Sequence, residues 1–195
     1  MMKRYLLCFI MIISLFFVKF GTVDALVGTW PNDAKFTRGV KNTCYYVHST
    51  ANAYTARINA GARSWAALDN KIKNTAVSSN AGTHIDFYGK YLNEDVNLTT
   101  SMLAYTTFWD DKGVTVQPSP TYAPTKNYFY SEIIINRSKA SSITAAVLTH
   151  EMGHSYGLSH RNNVNSIMHP YADEIAVSTP QSIDNAVINY LYPNG

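Results

Sequence analysis

Cysteine is scarce in this chain: Cys8 and Cys44 are the two among 195 residues. That excludes a disulfide scaffold and a thiolate-rich structural metal site. Charge is sparse too, at 15% of residues, with 16 Lys and Arg against 13 Asp and Glu. Such a balance fits neither a disordered charged tail nor a nucleic-acid-binding arm. No repeat or low-complexity block divides the sequence, and no apolar run reaches the roughly 20 residues that span a bilayer as a helix.

The longest apolar run, Tyr5 to Val18, follows Lys3 and Arg4 and precedes Val23-Asp24-Ala25, which resembles a small-residue cleavage site. Residues 1–25 therefore read as a secretory signal peptide, and residues 26–195 as one domain, secreted and with no stable membrane insertion after cleavage. Most of the excess positive charge departs with the signal, leaving 13 basic residues against 12 acidic ones. A nearly neutral chain without a basic cluster gives no support to nucleic acid as a partner. Cys8 departs as well, so Cys44, in the run Cys44-Tyr45-Tyr46-Val47, is expected to be a buried structural thiol. A domain of this size buries roughly 70% of its unfolded surface and needs no covalent staple. It is expected to be a monomer.

Thr43 to His48 reads as extended. Tyr54, Ile58, Ala62, Trp65 and Leu68 recur at spacings of three and four and predict an amphipathic helix. His84 to Tyr88 alternates as a half-buried strand should, and Tyr128 to Asn136 ends in a buried-looking Ile133-Ile134-Ile135 strand. The segment from Gly89 to Lys126, broken by Gly113, Pro118, Pro120 and Pro124, reads mostly as loop. A second helix is predicted from about Ile143 to Tyr156, with Gly157 at its terminator position. A third follows Thr179-Pro180 and carries Ile183, Val187, Tyr190 and Leu191. The expected class is α+β, a sheet with helices packed on it. Asn97-Leu98-Thr99 and Asn136-Arg137-Ser138 match glycosylation acceptors.

Residues 150–160 read HEMGHSYGLSH. Four residues advance a helix by about 400°, so His150 and His154 project from one face about 5.4 Å apart along the axis, able to grip one ion. Glu151 lies about 100° around, near that ion but not on it. Gly157 ends the helix by accepting a positive φ, and the chain can then return His160 as a third ligand. Three imidazoles leave one position open, the arrangement of catalytic zinc rather than of closed structural zinc. Glu151 is then placed as general base for the water held there. From the chain's own residue frequencies, the five-position pattern has a chance expectation of about six in a million.

The pattern His150-Glu151-x-x-His154-x-x-Gly157-x-x-His160, followed by Met168 in Ser166-Ile167-Met168-His169-Pro170, resembles the signature of the metzincin metallopeptidases. The short interval from His160 to Met168 resembles the matrixin branch, which contains the matrix metalloproteinases. The resemblance implies a twisted, mostly parallel sheet with three main helices above a zinc cleft, in which Met168 forms an apolar base under the histidines. It implies a zinc-dependent endopeptidase with protein or peptide substrates lying extended along an edge strand. The opening Trp30 and Gly61-Ala62-Arg63-Ser64-Trp65 extend the resemblance weakly along the chain. With little beyond Leu26 to Gly28 between the cleavage site and Trp30, an enzyme without a thiol-switch propeptide is expected.

The chain also departs from the family pattern. Arg161 stands where matrixins usually carry Ser after the third histidine. Tyr171 follows Pro170 directly, so it is either near substrate or in the core. The histidine-rich loop of the vertebrate enzymes is missing, and His48 and His84 suggest no second metal site. Asp110-Asp111 before Gly113 offers either calcium ligands or a solvated turn. His169 reads as a support to the site or a surface residue. A zinc-holding adhesin without turnover is the alternative reading, against which the presence of Glu151 speaks.

Overall fold

The computed structural model describes residues 28–68, 71–118, 122–171, 174 and 176–194; the expected signal peptide lies outside them. Eight regular elements follow one another: β1 Thr43–Val47, α1 Thr55–Leu68, β2 Asn74–Val77, β3 Ile85–Lys90, β4 Ala104–Trp109, β5 Tyr130–Asn136, α2 Ala145–Ser155 and α3 Ser182–Leu191. The strands form one sheet in the order β2-β1-β3-β5-β4. β1 runs parallel to β2 and β3, and β3 parallel to β5, while β4 pairs antiparallel with β5 and lies at the sheet edge, where Phe108 is covered on its outer side by the Val116 N–H and the Gln117 side chain. The expected α+β class, mostly parallel sheet and three helices are all found.

Two strands were not legible in the sequence. β4 sits within the segment expected to be mostly loop, because Thr106 takes a buried position on the same face as Phe108 and spoils the apolar alternation. β2 exposes Thr75, Ala76 and Val77 and so carries no pattern to read. β3 is not half-buried. It lies between β1 and β5, and His84 and Asp86 are buried together with Ile85 and Phe87. In α3 the core position expected of Tyr190 belongs to Ile188; Tyr190 is exposed and its hydroxyl donates to Asp33 Oδ2 at 2.8 Å. Asn136 is buried, its amide donating to the carbonyls of Thr99 and Met102, so it cannot accept a glycan.

The inner face of the sheet, with Ile85, Phe87, Phe108, Ile133 and Ile135, packs against Ile58 and Trp65 of α1 and Leu148 and Met152 of α2. α1 forms where the sequence periodicity places it, burying Ile58, Gly61, Ala62 and Trp65. Its Trp65 is wholly buried, and the indole N–H donates to the Thr149 carbonyl of α2 at 2.8 Å. This bond, with the close approach of Gly61 to Thr149, ties α1 to the helix that carries the histidine motif. No helix among the described residues is long and apolar enough to cross a membrane. Trp65→Ala is expected to lower the free energy of unfolding by about 3–5 kcal/mol, the usual cost of emptying a large aromatic site. Urea denaturation followed by circular dichroism measures it.

Candidate active site

α2 begins at Thr144, whose side chain accepts from the Val147 N–H, and is buried continuously from Val147 to Ser155. Gly157 follows with φ of 101°, a value that a residue with Cβ rarely adopts. The chain then turns through Leu158, and His160 comes back over the helix.

The orientation of each helical imidazole is fixed by a carbonyl. His150 Nδ1 lies 2.8 Å from the Ile167 carbonyl and His154 Nδ1 2.8 Å from the Leu158 carbonyl. A carbonyl can only accept, so both rings carry their proton on Nδ1 and turn an unprotonated Nε2 inward. His160 Nε2 stands 3.3 Å from Nε2 of His150 and 3.2 Å from that of His154. Burial pushes His150 down to about 4 and His154 well below the ordinary imidazole range, so these rings are neutral at physiological pH, the form that binds metal.

Three imidazole nitrogens so close bring their lone pairs together, an arrangement that a cation relieves. Donors about 2.0–2.1 Å from a tetrahedral zinc are themselves about 3.3–3.4 Å apart, so the observed spacing fits that ion. Among the described residues no other group of three or more histidine, cysteine or carboxylate donors converges in this way. His48 caps the turn before α1 by accepting from the Thr50 N–H, and His84 Nδ1 accepts from the Cys44 N–H. Cys44 is half-buried rather than buried, with Sγ 3.4 Å from His84 Nδ1. Asp110 accepts the N–H groups of Lys112 and Val114, closing a turn.

Glu151 is buried on the flank of α2, and its Oε2 accepts a 2.7 Å hydrogen bond from the Thr106 hydroxyl of β4. Burial pushes its carboxyl up to about 7, opposed by that hydrogen bond.

Met168 is buried beneath α2. A Cβ added at Gly153 would lie 2.3 Å from its Sδ, so the glycine between the two helical histidines is what lets the methionine in. Sequence reasoning missed the clamp that holds this turn. Asp184 accepts from the Ser166 hydroxyl with Oδ1 and from the Ile167 and Gln181 N–H groups with Oδ2. Its position in the first turn of α3, after Thr179-Pro180, was the available signal. The same clamp holds the Ile167 carbonyl against His150.

Trp30 supports the other side. Its indole N–H donates to the His154 carbonyl at 3.2 Å, and its ring lies 5.0 Å from the His154 ring. Arg161 does work of its own: its backbone N–H donates to the Met168 carbonyl and its guanidinium to that of Ile183. His169 is buried, not on the surface, with Nδ1 at the Tyr171 backbone. Tyr171 is 60% exposed and so lies outside the core.

Gly153→Ala is expected to cost about 1–3 kcal/mol through overpacking, since Trp65 Cζ2 would also be met at 3.0 Å. Because the clash pushes Met168 from under the histidines, metal retention during dialysis should fall alongside the melting temperature. A variant with wild-type metal retention would show that the methionine does not support the triad.

The family model for matrixins matches residues 48–193. No curated protein matches the chain. Among solved structures, high choriolytic enzyme 1, a hatching-enzyme zinc protease of the medaka fish Oryzias latipes, is similar at 14% identity, with 82% of this chain and 92% of that chain covered and a TM-score of 0.49. The match to the family model spans most of the sequence, including the whole histidine motif, the methionine turn and α3. The chain thus belongs to the matrixin family of zinc metalloendopeptidases.

Proposed function

We propose that the chain is a secreted, monomeric endopeptidase in which His150, His154 and His160 hold one zinc ion and Glu151 is the general base. The observation that carries this reading is the meeting of three Nε2 atoms, two of them locked by Nδ1 hydrogen bonds, beside a buried carboxylate. Zinc bound there supplies a Lewis acid that polarises a peptide carbonyl and makes a water molecule more acidic.

The chain's own groups do the rest. Glu151 takes the proton of the attacking water as its oxygen bonds to the carbonyl carbon. It then delivers that proton to the amine nitrogen as the C–N bond breaks, so one carboxyl serves both halves of the hydrolysis. The outer edge of β4 ahead of Phe108, which Val116 and Gln117 cover, offers main-chain groups to an extended peptide, and the Thr106 hydrogen bond places this part of the strand beside Glu151. The run of Lys3, Arg4 and Tyr5 to Val18 supports export, with the mature chain starting at Leu26.

Cleavage of an unfolded protein by the purified mature chain is expected to stop on addition of a zinc chelator and to return with zinc. Glu151→Ala should keep stoichiometric zinc and lose at least roughly 10²- to 10⁴-fold in activity, the range for removing a general acid-base group. Equal activity in that variant and the wild type would refute the assigned base. His154→Ala should lose zinc, as elemental analysis will show; an unchanged metal content would remove it from the ligand set. N-terminal sequencing of secreted protein should begin at Leu26.

A further inference from the structure

Thr106 occupies a position where a hydroxyl has no packing purpose. It is 4% exposed, on the inner face of β4 and opposite Ile133 of β5, and Phe108, two residues on, is wholly buried. Its Oγ1 lies 2.7 Å from Glu151 Oε2 and 3.2 Å from the Glu151 main-chain carbonyl. A hydroxyl donates one proton, and the shorter contact, to a carboxylate, takes it. The remaining carboxylate oxygen, Oε1, makes no hydrogen bond with the described residues. Other buried hydroxyls nearby are engaged elsewhere: Ser131 donates to Ser155, and Ser155 to the Glu151 main-chain carbonyl.

We propose that Thr106 is a positioning residue for peptide hydrolysis, holding one oxygen of the Glu151 carboxylate so that the other faces the bond to be cut. This rests on the reading of Glu151 as the proton carrier. A carboxylate rotates freely about its last side-chain bond, and a general base works only when the accepting oxygen stays within hydrogen-bond reach of the proton it moves. Tying one oxygen to a strand of the sheet removes that freedom before substrate arrives, so less ordering remains for the reaction itself. The same bond couples the carboxylate to β4, so a shift of that strand moves the base with it.

The test compares Thr106→Val, which keeps the shape and removes the donor, with Thr106→Ser, which keeps the donor and removes a methyl. Each is assayed for kcat and KM on a peptide substrate, for zinc per chain and for its melting temperature, with Glu151→Ala as reference. Thr106→Ala serves as the second donor-free variant if the valine does not fold. The expected result is a fall in kcat of roughly 10- to 100-fold in the donor-free variant, the scale of a hydrogen bond to a charged group. KM should stay within about twofold, zinc content should match the wild type, and serine should restore most of the rate.

The inference is overturned by a donor-free variant with wild-type kcat, by one that instead loses zinc or raises KM, or by a serine variant as slow as valine. A Glu151→Ala enzyme as active as the wild type would fail the reading of Glu151 itself. An inactive Glu151→Ala enzyme beside a fully active Thr106→Val enzyme would overturn the role of Thr106 alone.

Discussion

The approach of the His150 and His154 Nε2 atoms to within 3.2–3.3 Å of His160 Nε2 is the constraint on which the surrounding structure depends. Lone pairs aimed at one another repel, so rings left to themselves would turn away. Two carbonyls prevent it. Ile167 holds His150 and Leu158 holds His154, and each carbonyl is itself held in a turn that other residues build. The Ile167 turn hangs on the Asp184 carboxylate of α3, and the Leu158 turn on Gly157, whose Cβ-free backbone lies close to Leu191 and the Ala34 carbonyl. Elements far from the motif in sequence thus act on it through two hydrogen bonds.

The same helix is squeezed from three sides. Trp65 reaches the Thr149 carbonyl from α1, Met168 enters at Gly153 from below, and Thr106 reaches Glu151 from β4. Trp65 and Met168 meet at Gly153, while Thr106 holds the helix at Glu151. These contacts restrain the rotation of the helix about its axis, which decides where the histidines point. A site of this kind gains its accuracy from a rigid support rather than from the ligands alone.

The convergence of the three histidines was more legible in the sequence than the order of the strands. His150, Glu151, His154, Gly157 and His160 announce themselves because helix geometry ties spacing to direction, and α1 and α3 follow from ordinary periodicity. β4 and Thr106 were hidden for one shared reason: a buried hydroxyl breaks the apolar alternation that marks a strand, so the residue that serves the carboxylate also conceals the element carrying it. Asp184 was hidden differently. As an acidic residue in a helix first turn it looks like a local cap, and nothing local says that it also reaches back to Ser166 and Ile167. Arg161 looked like a departure from the family, yet its contacts with Met168 and Ile183 join the same turn to α3.

Residues 28–30 lie against the turn that follows α2. Gly28 accepts from the Ser159 N–H, Trp30 donates to the Gly157 carbonyl, and the Trp30 indole reaches His154, more than 120 positions away in sequence. Near the other end, Asp184 of α3 secures His150 through the Ile167 turn, and the Tyr192 hydroxyl donates to the Tyr156 carbonyl. Both ends of the domain must therefore reach α2 before the triad is fully braced. Loop closure over such distances is slow compared with helix formation. During synthesis the histidine motif emerges long after Trp30 but before α3, so the bracing of the three imidazoles is completed only once α3 has been made.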